Sequence, residues 1–309
     1  MPTLSYSRVI SLSHPIHSAI PHWPGDPQTR FSTIATWDKD GYFLREMTVG
    51  EHSATHINAP RSFDPAGRDV GHIPPEQLIL PAVCVDLRDC CKMNRDYPIQ
   101  IADIHQWEQQ HGSIPEGCLA IAHTGWQEKW SNPANFLGNG DRELHFPGFS
   151  EDAAEFLINQ RQVAGLGIDT HGVDPGTSKT FGVNRQVLAN NRMVLECLTR
   201  LDLVPPVGFT VIIGALPLVG GSGSPAQVLA LLPSVCLRLS SAFSSFSPCS
   251  ATKLSSLISS SGALHSASVS SSSAASASGI GSGFTGGGGS ASPDRMPVSG
   301  IRGSSSRNR

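Results

Sequence analysis

His52, His56 and Asn58 stand at spacing i, i+4, i+6 within His52-Ser53-Ala54-Thr55-His56-Ile57-Asn58. Two imidazoles and an amide oxygen are donors that suit zinc, manganese or iron, so the chemistry open to this segment is ligation of a divalent metal. The backbone decides whether they can act together. On an extended chain the side-chain period is two and all three positions share a face, whereas on a helix Asn58 turns away from the histidines. Ala59-Pro60 follows directly, and proline disfavours helical backbone in the residue before it, so an extended segment is predicted. The HExxH pattern is excluded, because Ser53 stands where that motif carries its glutamate. Taken alone, the pair also fits two surface or capping histidines, and the rest of the chain has to decide.

The elements that must position these residues read as strands with few helices. Strands are predicted at Arg8–Leu12, Arg30–Thr36, Phe43–Val49, Cys118–His123, Val163–Ile168, Met193–Cys197 and Thr210–Gly214. In the apolar run Leu78–Asp86, Pro81 should delay the strand until Ala82. Ile101–Gln110 reads as a short helix with Asp103 near its start. Ser150 with Glu151 and Asp152 gives a capped helix with acids in its first turn, and Arg185–Asn190 gives a helical turn. Cys90-Cys91 is read as a loop feature. This mixture points to an α/β domain built on a sizeable sheet.

Composition changes near Pro233. Beyond it serine dominates, in low-complexity runs such as Ser270–Ser273 beside Gly286–Gly289. We therefore divide the chain into a domain of residues 1–233 and a disordered tail of residues 234–309. The tail carries six basic residues and one acid. Against a whole-chain charge of −3, that leaves the body at −8, which disfavours nucleic acid and anionic membrane as partners. Seven scattered cysteines without a CxxC pair fit a reducing compartment, and no secretory pattern opens the chain, so a cytoplasmic location is expected.

Several ordered blocks surround the histidine segment. They are Trp23-Pro24-Gly25-Asp26-Pro27, His52-x-x-Thr55-His56-x-Asn58-Ala59-Pro60, Thr124-Gly125-Trp126, Phe146-Pro147-Gly148, Gly167-Ile168-Asp169-Thr170, Leu195-Glu196 and Gly221-Ser222-Gly223-Ser224-Pro225. As a set they resemble the cyclase family of metal-dependent hydrolases, which includes kynurenine formamidase (arylformamidase) and isatin hydrolase. The resemblance covers about Arg8 to Pro233. It implies a swivelling β/β/α fold, with a mixed, barrel-like sheet and few helices. It also implies metal ligation by His52 and His56, with position 58 and Glu196 completing the site. Trp23 would lie against a flat aromatic substrate; a tryptophan packing its loop onto the sheet is the other reading.

Three positions depart from the family pattern. Asn58 stands where an aspartate is usual, Ser62 where a proton-transfer histidine is usual, and Asn184, twelve residues before Glu196, where a second metal's histidine is usual. An amide oxygen can ligate but brings no charge, so the set suits one Zn2+ or Mn2+ better than two. Ser62 can orient a water but is a poor base. Glu196 can ligate or accept a proton, and His171 is a candidate substitute base or, equally, a loop histidine bonded to backbone. The implied reaction is hydrolysis of a C–N amide bond in a small molecule, N-formylkynurenine to kynurenine in tryptophan catabolism being the family's example. The alternatives are an impaired member that binds or regulates, and a metal-dependent lyase or dehydratase. By analogy the chain would form a homo-oligomer, a dimer or larger. The Gly221–Pro225 run lacks the lysine of a phosphate-binding loop, and that reading is rejected.

Overall fold

The aliphatic runs become strands of one curved sheet in the computed structural model, which describes residues 5–138 and 143–233. In chain order the strands are β1 (Arg8–Ser11), β2 (Arg30–Ala35), β3 (Leu44–Thr48), β4 (His56–Asn58), β5 (Ile79–Asp86), β6 (Pro98–Ile99), β7 (Leu119–His123), β8 (Gly148–Phe149), β9 (Gly165–Ile168), β10 (Met193–Glu196), β11 (Phe209–Ala215) and β12 (Gly223–Leu232). The helices are α1 (Trp37–Asp40), α2 (Arg88–Met93), α3 (Ile101–His111), α4 (Pro133–Leu137), α5 (Glu151–Asn159) and α6 (Gly182–Ala189). The main sheet runs β1-β12-β11-β5-β7-β9-β10-β4, and β4 also pairs with β12. Seven strands thereby close into a ring, with β1 attached outside it along β12. Neighbours along β5, β7, β9 and β10 are parallel, while β4, β11 and β12 pair antiparallel. The fold is thus a mixed sheet closed as a barrel with few helices, as the sequence leads one to expect.

Alternation along the parallel strands builds two cores. Val83 and Val85 of β5, Ala120 and Ala122 of β7 and Val194 of β10 face outward to a layer containing Ile104 and Trp107 of α3, Phe156 and Leu157 of α5 and Val183 and Val187 of α6. Their neighbours Ala82, Cys84, Leu119, Ile121 and Leu195 face inward, with Ile57, Phe209, Val211 and Val228, and fill the barrel. A third cluster of Ile20, Ala54, Trp126, Trp130, Phe136, Phe146 and Cys197 packs loops together, with Trp23 half-buried against it. The five cysteines among the described residues are free, and no described helix is long and apolar enough to cross a membrane.

Five local expectations need correction. β5 starts at Ile79 and includes Pro81, because β7 pairs only from Ala82 onward and Pro81 has a strand, β11, on one side alone. Cys90 and Cys91 lie in helix α2. Helix α6 begins at Gly182, ahead of Arg185. The longest of these strands, β12, occupies a stretch for which the sequence predicts no element. The histidine segment is extended only from His56, since Ala54 has φ +55° and breaks the run. The serine-rich tail lies outside the described residues.

Candidate metal-binding site

Strand β4 is three residues long, yet it is wedged between two partners. His56 sits opposite Glu196 of β10 and Pro225 of β12, and Asn58 sits opposite Val194 and Gly223. Cross-strand pairing therefore brings the His56 ring against the Glu196 carboxylate at the C-terminal end of β10, with Nε2 3.0 Å from Oε2 and both side chains buried. His56 Nδ1 donates to the carbonyl of Ala54 at 2.8 Å. In a neutral imidazole the lone pair is then on Nε2, aimed at the carboxylate, and no hydrogen bond satisfies it. Burial alone would raise the Glu196 pKa, but the His56 ring, when it carries a proton on Nε2, and the Asn184 N–H outweigh it and hold the carboxyl near 2.

His52 reaches the same place by a different route. The turn at Ala54 folds it back so that Nδ1 lies 2.7 Å from Asn58 Oδ1 and Nε2 lies 2.8 Å from Ser222 Oγ. Ser222 gives its hydroxyl proton to Glu51 at 2.6 Å, so its oxygen is free to accept from His52 Nε2–H. Burial, then the neighbouring His56, lower the His52 pKa and favour the neutral ring. Two lone pairs, Nδ1 and the amide oxygen, consequently face each other. Gly223 leaves room for this ring: a Cβ there would come within 2.7 Å of His52 Cε1 and 2.6 Å of the Ile57 carbonyl oxygen.

Behind these donors lies a buried polar layer. Asn184 Nδ2 donates to Asp174 Oδ2 at 3.1 Å and to Glu196 Oε1 at 3.2 Å, and its oxygen accepts from Asn58 Nδ2 at 3.2 Å. Asp174 accepts from the backbone N–H groups of Val183 and Asn184 at the start of α6, and burial raises its pKa. Glu196 Oε1 also takes the Val173 N–H at 3.1 Å.

A cavity of about 150 Å³ opens over the donors, walled by Trp23, Phe63 and Phe181 and bounded by Ser62 and His171. His171 is buried with neither ring nitrogen hydrogen-bonded, so it is not a backbone-bonded loop histidine. Burial lowers its pKa to about 4, leaving a neutral ring and a weak base. Ser62 spends its proton on the Ser222 carbonyl at 2.6 Å. Trp23 contacts Phe146, His171 and Phe181 edge-on or tilted, so it both packs its loop and walls the cavity. Every site residue read from the sequence (Trp23, His52, His56, Asn58, Ser62, His171 and Glu196) borders this one cavity. Sequence reading missed Phe63, Phe181, Glu51 and the role of Ser222; only Ser222 carried a signal, within the Gly221–Pro225 block. Asp169 lies elsewhere, tying down the Thr124–Gln127 turn.

As placed, the donors group as two facing pairs, His52 with Asn58 and His56 with Glu196. No three histidine, cysteine, aspartate or glutamate side chains among the described residues converge as a cage by themselves. The amide of Asn58 completes the set. Acceptor facing acceptor in a buried wall is an arrangement that a cation or a proton relieves, so the residues fit a divalent ion by their chemistry.

Comparison with known proteins agrees with this geometry. The Cyclase family model, described as "Putative cyclase", matches residues 10–175, more than half of the chain. Isatin hydrolase A from Ralstonia solanacearum has a solved structure that superposes with a TM-score of 0.69 at 32% identity, covering 73% of this chain and 92% of that one. A kynurenine formamidase from Geobacillus thermodenitrificans is 29% identical over 71% of this chain and 94% of its own. A structure described as a potential metal-dependent hydrolase with cyclase activity matches at 25% identity, TM-score 0.57, over 72% and 96% of the two chains. With the strand order, the paired donors and the family match in accord, the chain belongs to the cyclase family.

Proposed function

We propose that the protein is a metal-dependent hydrolase that opens a C–N amide bond in a flat aromatic substrate, arylformamidase-like in its reaction. One observation carries this reading: four atoms able to ligate a metal, His52 Nδ1, Asn58 Oδ1, His56 Nε2 and Glu196 Oε2, line a cavity walled by aromatic rings. A single divalent ion, Zn2+ or Mn2+, held by these residues would supply Lewis acidity for the scissile carbonyl and the attacking water. Trp23, Phe63 and Phe181 hold the aryl plane and keep bulk water from it. Glu196, ionised at neutral pH, would accept the proton that the attacking water gives up and pass it to the amine nitrogen as the C–N bond breaks. His171, neutral and unpartnered, is free to accept a hydrogen bond from substrate. The names of the relatives, isatin hydrolase and kynurenine formamidase, support a cyclic or formyl aryl amide, with N-formylkynurenine among the candidates.

A second reading has its own observation. Ser62 has given away its proton and His171 is a weak base, so neither of these candidate bases is suited to take a proton at neutral pH. That favours a member that binds the same ligands without turning them over. Metal analysis of purified protein, with isatin and N-formylkynurenine hydrolysis for wild type and His56→Ala, decides between them. We expect about one metal ion per chain and measurable hydrolysis, with both lost in H56A. Wild type that holds metal and binds aryl amides without hydrolysing them supports the second reading. Wild type without stoichiometric metal, and as inactive as H56A, overturns the first.

A further inference from the structure

Asn184 borders the cavity, and both hydrogens and the oxygen of its amide are engaged. Both Nδ2 hydrogens are directed at carboxylates, Asp174 Oδ2 at 3.1 Å and Glu196 Oε1 at 3.2 Å, and Oδ1 takes the Asn58 Nδ2–H at 3.2 Å. Its side chain is buried. A rotated amide would turn its oxygen toward two carboxylates, so the orientation is enforced. Asp174 is fixed in turn by the Val183 and Asn184 backbone N–H groups, at 2.7 and 3.0 Å. Direction therefore passes from the backbone of α6, through Asp174, to Asn184.

We infer that Asn184 is a positioning residue, whose amide turns Asn58 Oδ1 toward the cavity and so sets the site's affinity for a divalent cation. An asparagine presents oxygen on one side and NH2 on the other, and rotation about its last torsion exchanges them. With Asn184 accepting from Nδ2, Asn58 is left with oxygen toward His52 Nδ1. Glu196 needs no such orienting, since its two carboxylate oxygens are equivalent. Oε1 is occupied by Asn184 and the Val173 N–H, leaving Oε2 to face His56. Without Asn184, Asn58 can expose NH2 in place of oxygen, and a donor becomes a repulsive group. The inference rests on the metal reading above for the identity of the ligand.

The test uses the symmetry of a carboxylate. Mn2+ and Zn2+ binding is measured by calorimetry on wild type, N184L, N58D and N58D/N184L, with the melting temperature of each metal-free protein as a control. Loss of an orienting partner behind a ligand typically costs about 10–100-fold in metal affinity, and we expect that loss for N184L. In the N58D background both oxygens are equivalent and need no orienting, so adding N184L should cost less than about threefold. An equal loss in both backgrounds, or none in either, overturns the inference. A second measurement needs no variant at position 184. The side-chain NH2 of Asn58, assigned by its absence from N58D, should be slow to exchange with solvent in the wild type. Free exchange would also overturn it. If the wild type takes up neither cation, the metal reading fails, while the exchange measurement still decides whether Asn184 holds Asn58.

Discussion

His14 carries an electrostatic load that its neighbours make visible. Its ring stacks on Trp130 with centroids 4.0 Å apart and planes 10° from parallel, and Nε2 is buried without a partner. Burial, then the Arg200 charge, lower its pKa from 6.5 to about 4. The folded value lies below the unfolded one, so folding favours the neutral ring. Its contribution is intact above pH 6.5 and is lost as the pH falls from there toward 4, by at most about 3 kcal/mol. Thermal melts across that window should fall less steeply for His14→Phe, which keeps the stack and removes the titration; parallel curves would refute this. At this scale the sequence spoke unevenly. His52, His56, Asn58 and Glu196 were legible because donor types and block order survive as text. Phe181 was not, because its wall position depends on a left-handed backbone, φ +52°, that nothing in Thr180-Phe181-Gly182 announces.

Among the elements, α3 and the segment just after α5 are tied by an ion pair that the local pattern did not reveal. Glu108 accepts from Arg161 Nε at 2.6 Å and Nη2 at 2.8 Å, and its Oε1 also accepts the Ile114 N–H. Arg161 outweighs burial and lowers the Glu108 pKa from 4.5 to about 2. With one-fifth of the guanidinium side chain exposed, solvent screening keeps the pair near about 1 kcal/mol. Arg161→Met should cost that much in urea unfolding at pH 7. A depressed carboxylate contributes above its unfolded pKa, so the difference should shrink as the pH falls through 4.5 toward 2. An equal deficit at pH 7 and pH 2.5 would show that the loss is packing. Helix α5 was legible because Ser150 caps it, accepting from the Ala153 N–H at 3.2 Å. Strand β12 was not. Ala226-Gln227-Val228-Leu229-Ala230-Leu231-Leu232 lacks β-branched alternation, and it is extended because β1, β4 and β11 claim its edges.

For the whole molecule, the seam between β4 and β12 is where architecture and chemistry coincide, since the strand that closes the ring also seats His52. Gly223→Ala places a Cβ within 2.6 Å of the Ile57 carbonyl oxygen and 2.7 Å of the His52 ring. It should lower the melting temperature and divalent-cation affinity together, and a loss in one without the other would separate fold from site. The same seam dictates a schedule for folding. Residues 56–58 must find residues 223–225, with most of the barrel between them in sequence. Pairings of such long separation bear the largest loop-closure entropy and set slow rates. The parallel core of β5, β7 and β9 can condense without β4, whereas the four donors meet only when β4 docks along β10. Cation capture is then a clock for the docking of β4: added metal should deepen the docked state by mass action while leaving the early, cation-blind phases of refolding untouched.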